Sequence, residues 1–347
     1  MTTTLTPATA RGLVAEGSRR LAEAGLPTAR QDAEWLLAAV LGRERFALYL
    51  EPKEAVGEAA GRRFRALVAR RADHEPLQHL LGYEDFRGLR LRVTPDVLIP
   101  RPETEGLVEW ALELLTEDDA ISADWGRAGA ISGPPLTEKR QSNGLTPEEG
   151  TAGAVSGPPL MVNGQSIGRA SSLMADIGTG SGAIACALAA ARPDVRVLAT
   201  DTSPAALAVA EGNVRALGLA DRVRVVAGDL LEPLAGEPGT VDMIVANAPY
   251  LPTGILPSLP REVFAFEPRG ALDGGPDGMD VIRRLLTAAP AALRPGGWLV
   301  LEIGEDQAAP LAALMAAGGF VDVASRDDLR GVRRYLAGRR PAGSAAA

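Results

Sequence analysis

Two stretches of this 347-residue chain carry residue types at spacings that can do chemistry. The first is Asp176-Ile-Gly-Thr-Gly-Ser-Gly182, set between an apolar run and an alanine-rich one, the pattern of a strand-to-helix turn. Gly178, Gly180 and Gly182 permit positive φ and let a ligand approach the backbone, with Thr179 and Ser181 between them. The spacing is G-x-G-x-G, not the G-x-G-x-x-G of dinucleotide sites, where a pyrophosphate sits on the helix N-terminus. Asp176, just ahead of the loop, suits a ligand with positive charge and no phosphate. A structural tight turn would also account for the glycines alone. Two further acids follow apolar runs, Asp201 and Asp229, the latter next to Leu230. An acid at Asp201 can accept hydrogen bonds from both ribose hydroxyls, and one at Asp229 can meet an adenine amino group. Each alone could equally be a helix N-cap or a loop acid.

The second stretch is Asn247-Ala248-Pro249-Tyr250, after a fourth apolar run. It differs by one residue from the N-P-P-Y tetrad of methyltransferases that modify planar nitrogen. An amide or aromatic-amine nitrogen is a poor nucleophile because its lone pair is delocalised. The Asn247 side-chain oxygen and the Ala248 carbonyl can accept its two N–H bonds, which fixes the group for in-line attack. Asn247 then touches cofactor and substrate alike. Pro249 stiffens the loop and Tyr250 can pack on the substrate plane. A strand-end turn would use some of the same residues. The matching methyl donor is S-adenosylmethionine, which carries an ammonium and a sulfonium and no phosphate.

The elements that must position these residues are legible in the apolar periodicity. Residues 11–90 read as helical: Trp35, Leu36, Leu37, Val40 and Leu41 recur at helical spacing before Gly42, and Thr28 with Gln31 suggests a capping box. A second helix covers Gly61 to Ala72. Phe86, Leu89, Leu91 and Val93 alternate with polar residues, which predicts a hairpin or short strands linking the domains. A helix follows from Pro102 to Leu115. From Leu173 onward strands and helices alternate, which predicts an α/β fold with a mostly parallel sheet covered on both faces. Ligands bind at the carboxyl ends of such strands, where every motif above lies. Residues 117–172 interrupt the pattern. They are rich in Gly, Ser and Pro, they repeat Ala130–Leu136 as Ala154–Leu160, and they read as a flexible surface insertion.

Taken together, the chain from about 28 to 336, apart from the insertion at 117–172, resembles the release-factor glutamine N5-methyltransferases. The resemblance rests on Glu75-Pro-Leu-Gln-His-Leu-Leu-Gly82, on Leu98-Ile-Pro-Arg-Pro-Glu-Thr-Glu105, on the glycine loop and on the tetrad. It continues through Glu267-Pro268, Gly274-Gly275, Asp277-Gly278 and Leu301-Glu-Ile-Gly304. It implies an N-terminal helical substrate-docking domain (1–82), a β-hairpin linker (83–100) and a Rossmann-like class I methyltransferase domain with a seven-stranded sheet (101–340), before a disordered tail (341–347). It further implies methyl transfer from S-adenosylmethionine to the glutamine of the Gly-Gly-Gln motif of peptide chain release factors. Asp176, Gly178 to Gly182, Asp201, Asp229, Leu230 and Asn247 would meet the cofactor, and Asn247 to Tyr250 the glutamine. Arg101 and Glu103 would shape the cofactor pocket. Ala248 departs from the family's proline; its carbonyl survives, but the fixed φ is lost.

Composition is that of a globular chain, 46% hydrophobic and 23% charged. The net charge of −8 argues against affinity built on phosphate neutralisation, so no direct nucleic-acid binding is expected. The single cysteine, Cys186, and two histidines cannot make a disulfide or a histidine-cysteine metal site; Cys186 reads as core. No signal peptide or membrane span is apparent, so a cytoplasmic monomer is expected. The Arg339-Arg340 pair and the alanine-rich tail read as a frayed terminus. Three other readings stand beside the first: glutamine methylation of a different protein, adenine-N6 methylation of nucleic acid, and a non-catalytic binder that kept the fold.

Overall fold

Apolar residues three and four apart make the first part of the chain helical. In the computed structural model, which describes residues 8–128, 160–162, 165–167, 172–236 and 238–343, these are α1 (Ala10–Glu23), α2 (Ala29–Leu41), α3 (Ala47–Leu50), α4 (Glu58–Ala72) and α5 (Leu77–Leu81). Leu13, Leu21, Leu36, Leu37, Phe64 and Val68 share one core. Gly42 ends α2 with a φ of 64°, as its position predicts. The capping box does not form. Thr28 has a ψ of 16°, not the extended value a capping side chain needs, and only its carbonyl bonds into the helix.

Strands β1 (Tyr83–Phe86) and β2 (Leu89–Arg92) form the expected hairpin, turning through Arg87 and Gly88, both at positive φ. Helix α6 (Pro102–Ala128) runs well past Leu115. Residues 116–125 hold no Pro or Gly, so no strong breaker stops it there. The stretch expected to be a flexible insertion therefore begins as helix and ends in a small antiparallel pair, β3 (Leu160–Val162) and β4 (Gln165–Ile167). Residues 129–159, with most of the repeat, lie outside the described residues.

The remaining strands are β5 (Ser172–Ile177), β6 (Val195–Asp201), β7 (Val223–Ala227), β8 (Val241–Ala246), β9 (Leu293–Glu302), β10 (Val321–Asp327) and β11 (Arg333–Arg339). They form one seven-stranded sheet in the order β10-β11-β9-β8-β5-β6-β7, in which only β11 runs against its neighbours. Helices α6, α7 (Ala183–Ala191) and α8 (Pro204–Ala216) bury Leu107, Trp110, Leu188 and Val214 on one face. After the short α9 (Arg261–Phe264), helices α10 (Asp280–Ala292) and α11 (Ala308–Ala317) bury Ile282, Leu285, Leu311 and Met315 on the other. Cys186 is core as expected, and burial pushes its thiol up to about 12. Arg339 and Arg340 are not frayed: Arg339 pairs with Trp298 in the sheet, and the Arg340 amide donates to the Gly297 carbonyl. Among the described residues no helix is long and apolar enough to cross a membrane.

This order places the chain's turning point between β5 and β8. The chain steps from β5 outward to β6 and β7, then returns to the other side of β5. The loops after β5 and β8 therefore diverge and leave a crevice, the usual ligand site of such sheets. The segment 117–172 joins β5 at its other end, away from that crevice.

Candidate active site

A cleft of about 420 Å³ opens at the carboxyl ends of β5 to β8, lined by Gly178, Gly180, Asp201, Asp229, Leu230, Asn247 and Pro249 among others. The glycine loop forms its floor. Gly178, Gly180 and Gly182 have φ of 72°, 54° and 81°, a conformation L side chains rarely adopt. The Gly178 and Thr179 amides both donate to the Thr200 carbonyl at 2.9 Å, which ties the loop to β6. A Cβ on Gly178 or Gly180 would meet no protein atom within 4 Å, so both leave room on the cleft side. A Cβ on Gly182 would stand 3.3 Å from the Ala210 Cα, so this glycine serves helix packing.

Asp176 sits differently from the sequence expectation. It is fully buried behind the loop and does not line the cleft. Its Oδ2 accepts from the Thr179 hydroxyl at 2.6 Å and from the Ala185 amide at 3.0 Å. It thus braces the loop against the first turn of α7, and desolvation raises its pKa to about 7. Thr179, Ser181 and Gly182 are likewise buried behind the cleft surface.

Asp201 faces the cleft from the end of β6. Its two oxygens accept from the Gly180 and Ser203 amides, each at 2.9 Å, and their remaining lone pairs can take hydroxyls. Asp229 pairs with Arg284 of α10. Leu230 beside it has a φ of 52°, a strained conformation for a branched side chain, and its carbonyl accepts from the Thr200 hydroxyl.

The tetrad is clamped from behind. Ala248 is buried against the α10 side of the core. The Gln307 amide donates to the Tyr250 carbonyl at 2.9 Å and to the Gly278 carbonyl at 3.2 Å. Leu251 exchanges backbone bonds with Leu272 and Gly274. These contacts hold the tetrad loop from its buried side. Asn247 donates through Nδ2 to the Thr104 hydroxyl at 3.1 Å. The Tyr250 hydroxyl lies 3.4 Å from Glu302, and burial with that carboxylate raises the phenol's pKa.

Arg101 and Glu103 do not line the cleft. The Arg101 guanidinium contacts both oxygens of the buried Glu267 at 2.7 Å, which ties the junction to the segment after the tetrad. The Glu103 carbonyl accepts from the Tyr335 hydroxyl at 2.6 Å, which ties α6 to β11. Sequence reasoning missed several participants. Asp96, Val97 and Leu98 wall one side of the cleft, and Pro268, Ala271 and Arg284 another. Asn213 of α8, 2% exposed, joins Arg92 of the hairpin to the Ser181 carbonyl of the glycine loop. Its only sequence signal is a polar residue between the apolar positions Ala210 and Val214.

The residues present suit S-adenosylmethionine. Backbone without side chains faces the cleft at Gly178 and Gly180 of the loop, carboxylates stand at two strand ends, and Arg284, which lines it, is paired with Asp229. An adenosyl group with a cationic tail matches that set better than a phosphate does.

Residues 12–82 match the family described as PrmC N-terminal domain, and residues 160–254 match the Methyltransferase small domain. The release factor glutamine methyltransferase of Moorella thermoacetica is 40% identical over 339 residues, covering 96% of this chain and 99% of its own length. That of Geobacter sulfurreducens is 37% identical over 319 residues, 92% of each chain. Among solved structures, the hMettl16 catalytic domain in complex with MAT2A 3′UTR hairpin 6 aligns with a TM-score of 0.50 at 19% identity. The match covers 78% of this chain and 81% of that one, a likeness of fold.

Proposed function

This chain belongs to the release factor glutamine methyltransferase family, and from that premise we propose that Asn247 and Ala248 hold the glutamine of a release factor's Gly-Gly-Gln motif during methylation at N5. The enzyme uses S-adenosylmethionine. The observation that carries the site assignment is that the glycine loop after β5 and the tetrad after the neighbouring β8 line one cleft.

When bound, S-adenosylmethionine supplies an electrophilic methyl carbon; Gly178, Gly180, Asp201, Asp229 and Leu230 would hold it. The chain's own part is positioning. Asn247 Oδ1 and the Ala248 carbonyl accept the two N5 hydrogens, so the amide plane is fixed and its lone pair faces the cleft. Holding the reacting atoms in line is worth several orders of magnitude in such reactions. Tyr250 and Pro249 wall the substrate side. The N5 proton leaves to solvent, so no general base is needed.

The helical domain docks the release factor. It is joined to the segment after the tetrad by Arg71 to Glu262 at 3.0 Å and by Arg261 to Asp73 at 2.7 Å, contacts that support a docked release factor lying near the cleft. The test is transfer of labelled methyl to a release factor and to its Gln→Ala variant at the tripeptide. Label is expected on the first alone; equal labelling of both would refute the reading.

A further inference from the structure

Asn247 can serve as an acceptor only if its amide is turned the right way. Its two ends are nearly the same shape, and the wrong end would face a substrate N–H donor with donors of its own. What decides the orientation lies behind it. Thr104, in the first turn of α6, is 4% exposed, and Glu302, the last residue of β9, is 2% exposed. The Thr104 hydroxyl donates to Glu302 Oε2 at 2.7 Å and accepts from Asn247 Nδ2 at 3.1 Å. A carboxylate can only accept, so the single Thr104 proton is committed to Glu302. The oxygen of Thr104 is then left with lone pairs alone toward Asn247, and only the NH₂ end of the amide can meet it. Burial raises Glu302 to about 7, so at pH 8 it is the acceptor this chain of bonds requires.

We propose that Thr104 and Glu302 are positioning residues that lock the Asn247 amide with Oδ1 toward the cleft. The Tyr250 hydroxyl, 3.4 Å from Glu302 Oε1, links the far end of the tetrad to the same carboxylate. The inference rests on the reading that Asn247 holds the glutamine amide. Partners that orient a metal's ligands from behind change activity by about 10–100-fold when removed, and a loss on the same scale is expected here.

The test compares Thr104→Val, Thr104→Ser, Thr104→Ala and Asn247→Ala at pH 8. The readouts are single-turnover methylation of a release factor at saturating cofactor, and S-adenosylmethionine affinity by calorimetry. Thr104→Val keeps the shape and loses the hydroxyl; its rate is expected to fall about 10–100-fold with cofactor affinity unchanged. Thr104→Ser should return to within about threefold of the parent rate. Should the Val variant fail to fold, Ser against Ala isolates the hydroxyl, and the Ser variant should be about tenfold or more the faster. Equal rates for Thr104→Ser and Thr104→Ala, or an undiminished Thr104→Val, would overturn the proposal while a dead Asn247→Ala leaves the function standing. An active Asn247→Ala would instead sink the underlying site assignment.

Discussion

Replacement of Asn213 gives a sharp test of how the cofactor loop is supported. Its side chain makes three bonds: Oδ1 accepts from the Arg92 amide at 2.8 Å, and Nδ2 donates to the Arg92 carbonyl at 3.0 Å and to the Ser181 carbonyl at 2.8 Å. At about 1 kcal/mol net per bond, truncation to alanine removes about 3 kcal/mol. The Ser181 carbonyl is buried and stays unpaired, which adds up to about 2 kcal/mol. Asn213→Ala is therefore expected to lose about 3–5 kcal/mol in urea unfolding, with weakened S-adenosylmethionine binding because Ser181 sits inside the glycine loop. Asn213→Asp is the discriminating variant. It is the same size, yet it turns a second oxygen, now charged, toward two carbonyl oxygens. It should be no more stable than the alanine variant at pH 8. If Asn213→Asp unfolds within about 1 kcal/mol of the parent protein, the bond assignment is wrong and the hairpin is held to the loop by apolar packing instead.

Burial lifts Glu302 from 4.5 to about 7, so the folded state holds its proton where the unfolded state has released it. That contribution is full below about pH 4.5 and is lost as pH rises through about 7, by about 3 kcal/mol. Relative to Glu302→Gln, the parent protein should therefore lose stability between pH 5 and 8 in denaturant titrations; a gap that does not move with pH refutes the point. Arg71 is 5% exposed between Asp32 and Glu262. Arg71→Met should cost about 3–5 kcal/mol by stranding Asp32, and adding Asp32→Leu should recover most of it in the same unfolding assay; no recovery would mean that the cost is lost packing. Gly178→Ala puts a methyl into open cleft at a φ of 72°. It should cost about 1–2 kcal/mol in melting experiments and weaken cofactor binding about tenfold or more by calorimetry; unchanged affinity would place the cofactor elsewhere.

What the sequence discloses here is what short-range rules control. The three loop glycines, the acids at strand ends and the alternation of Phe86, Leu89, Leu91 and Val93 in the hairpin follow from spacing within a few residues. The direction of Asp176 does not, because it is set by the Ala185 amide nine residues on and by the low polarity behind the loop. The Thr104–Glu302 contact joins residues 198 apart, and nothing in either neighbourhood announces the other. Asn213 lies among residues that read as an ordinary helix interior. The overrun of α6 past Leu115 shows the limit of reading by average composition: the segment is rich in Gly and Pro as a whole, but residues 116–125 contain neither. The failed capping box at Thr28 makes the same point, since the residue types were right and the backbone dihedral was not.

The last feature to draw on is the place of β11. It is the last of the seven strands to be synthesised, yet it lies inside the sheet, between β9 and β10, with Tyr335, Leu336 and Ala337 buried. Until residues 333–339 have left the ribosome, β9 keeps an open edge, and the Glu103 carbonyl, one residue before Thr104, lacks the hydroxyl that holds it. The helical domain, built from neighbouring helices, can form early in translation, whereas the sheet behind the cleft closes only once β11 has emerged. A nascent chain can thus hold a folded helical domain before the sheet beside it is complete.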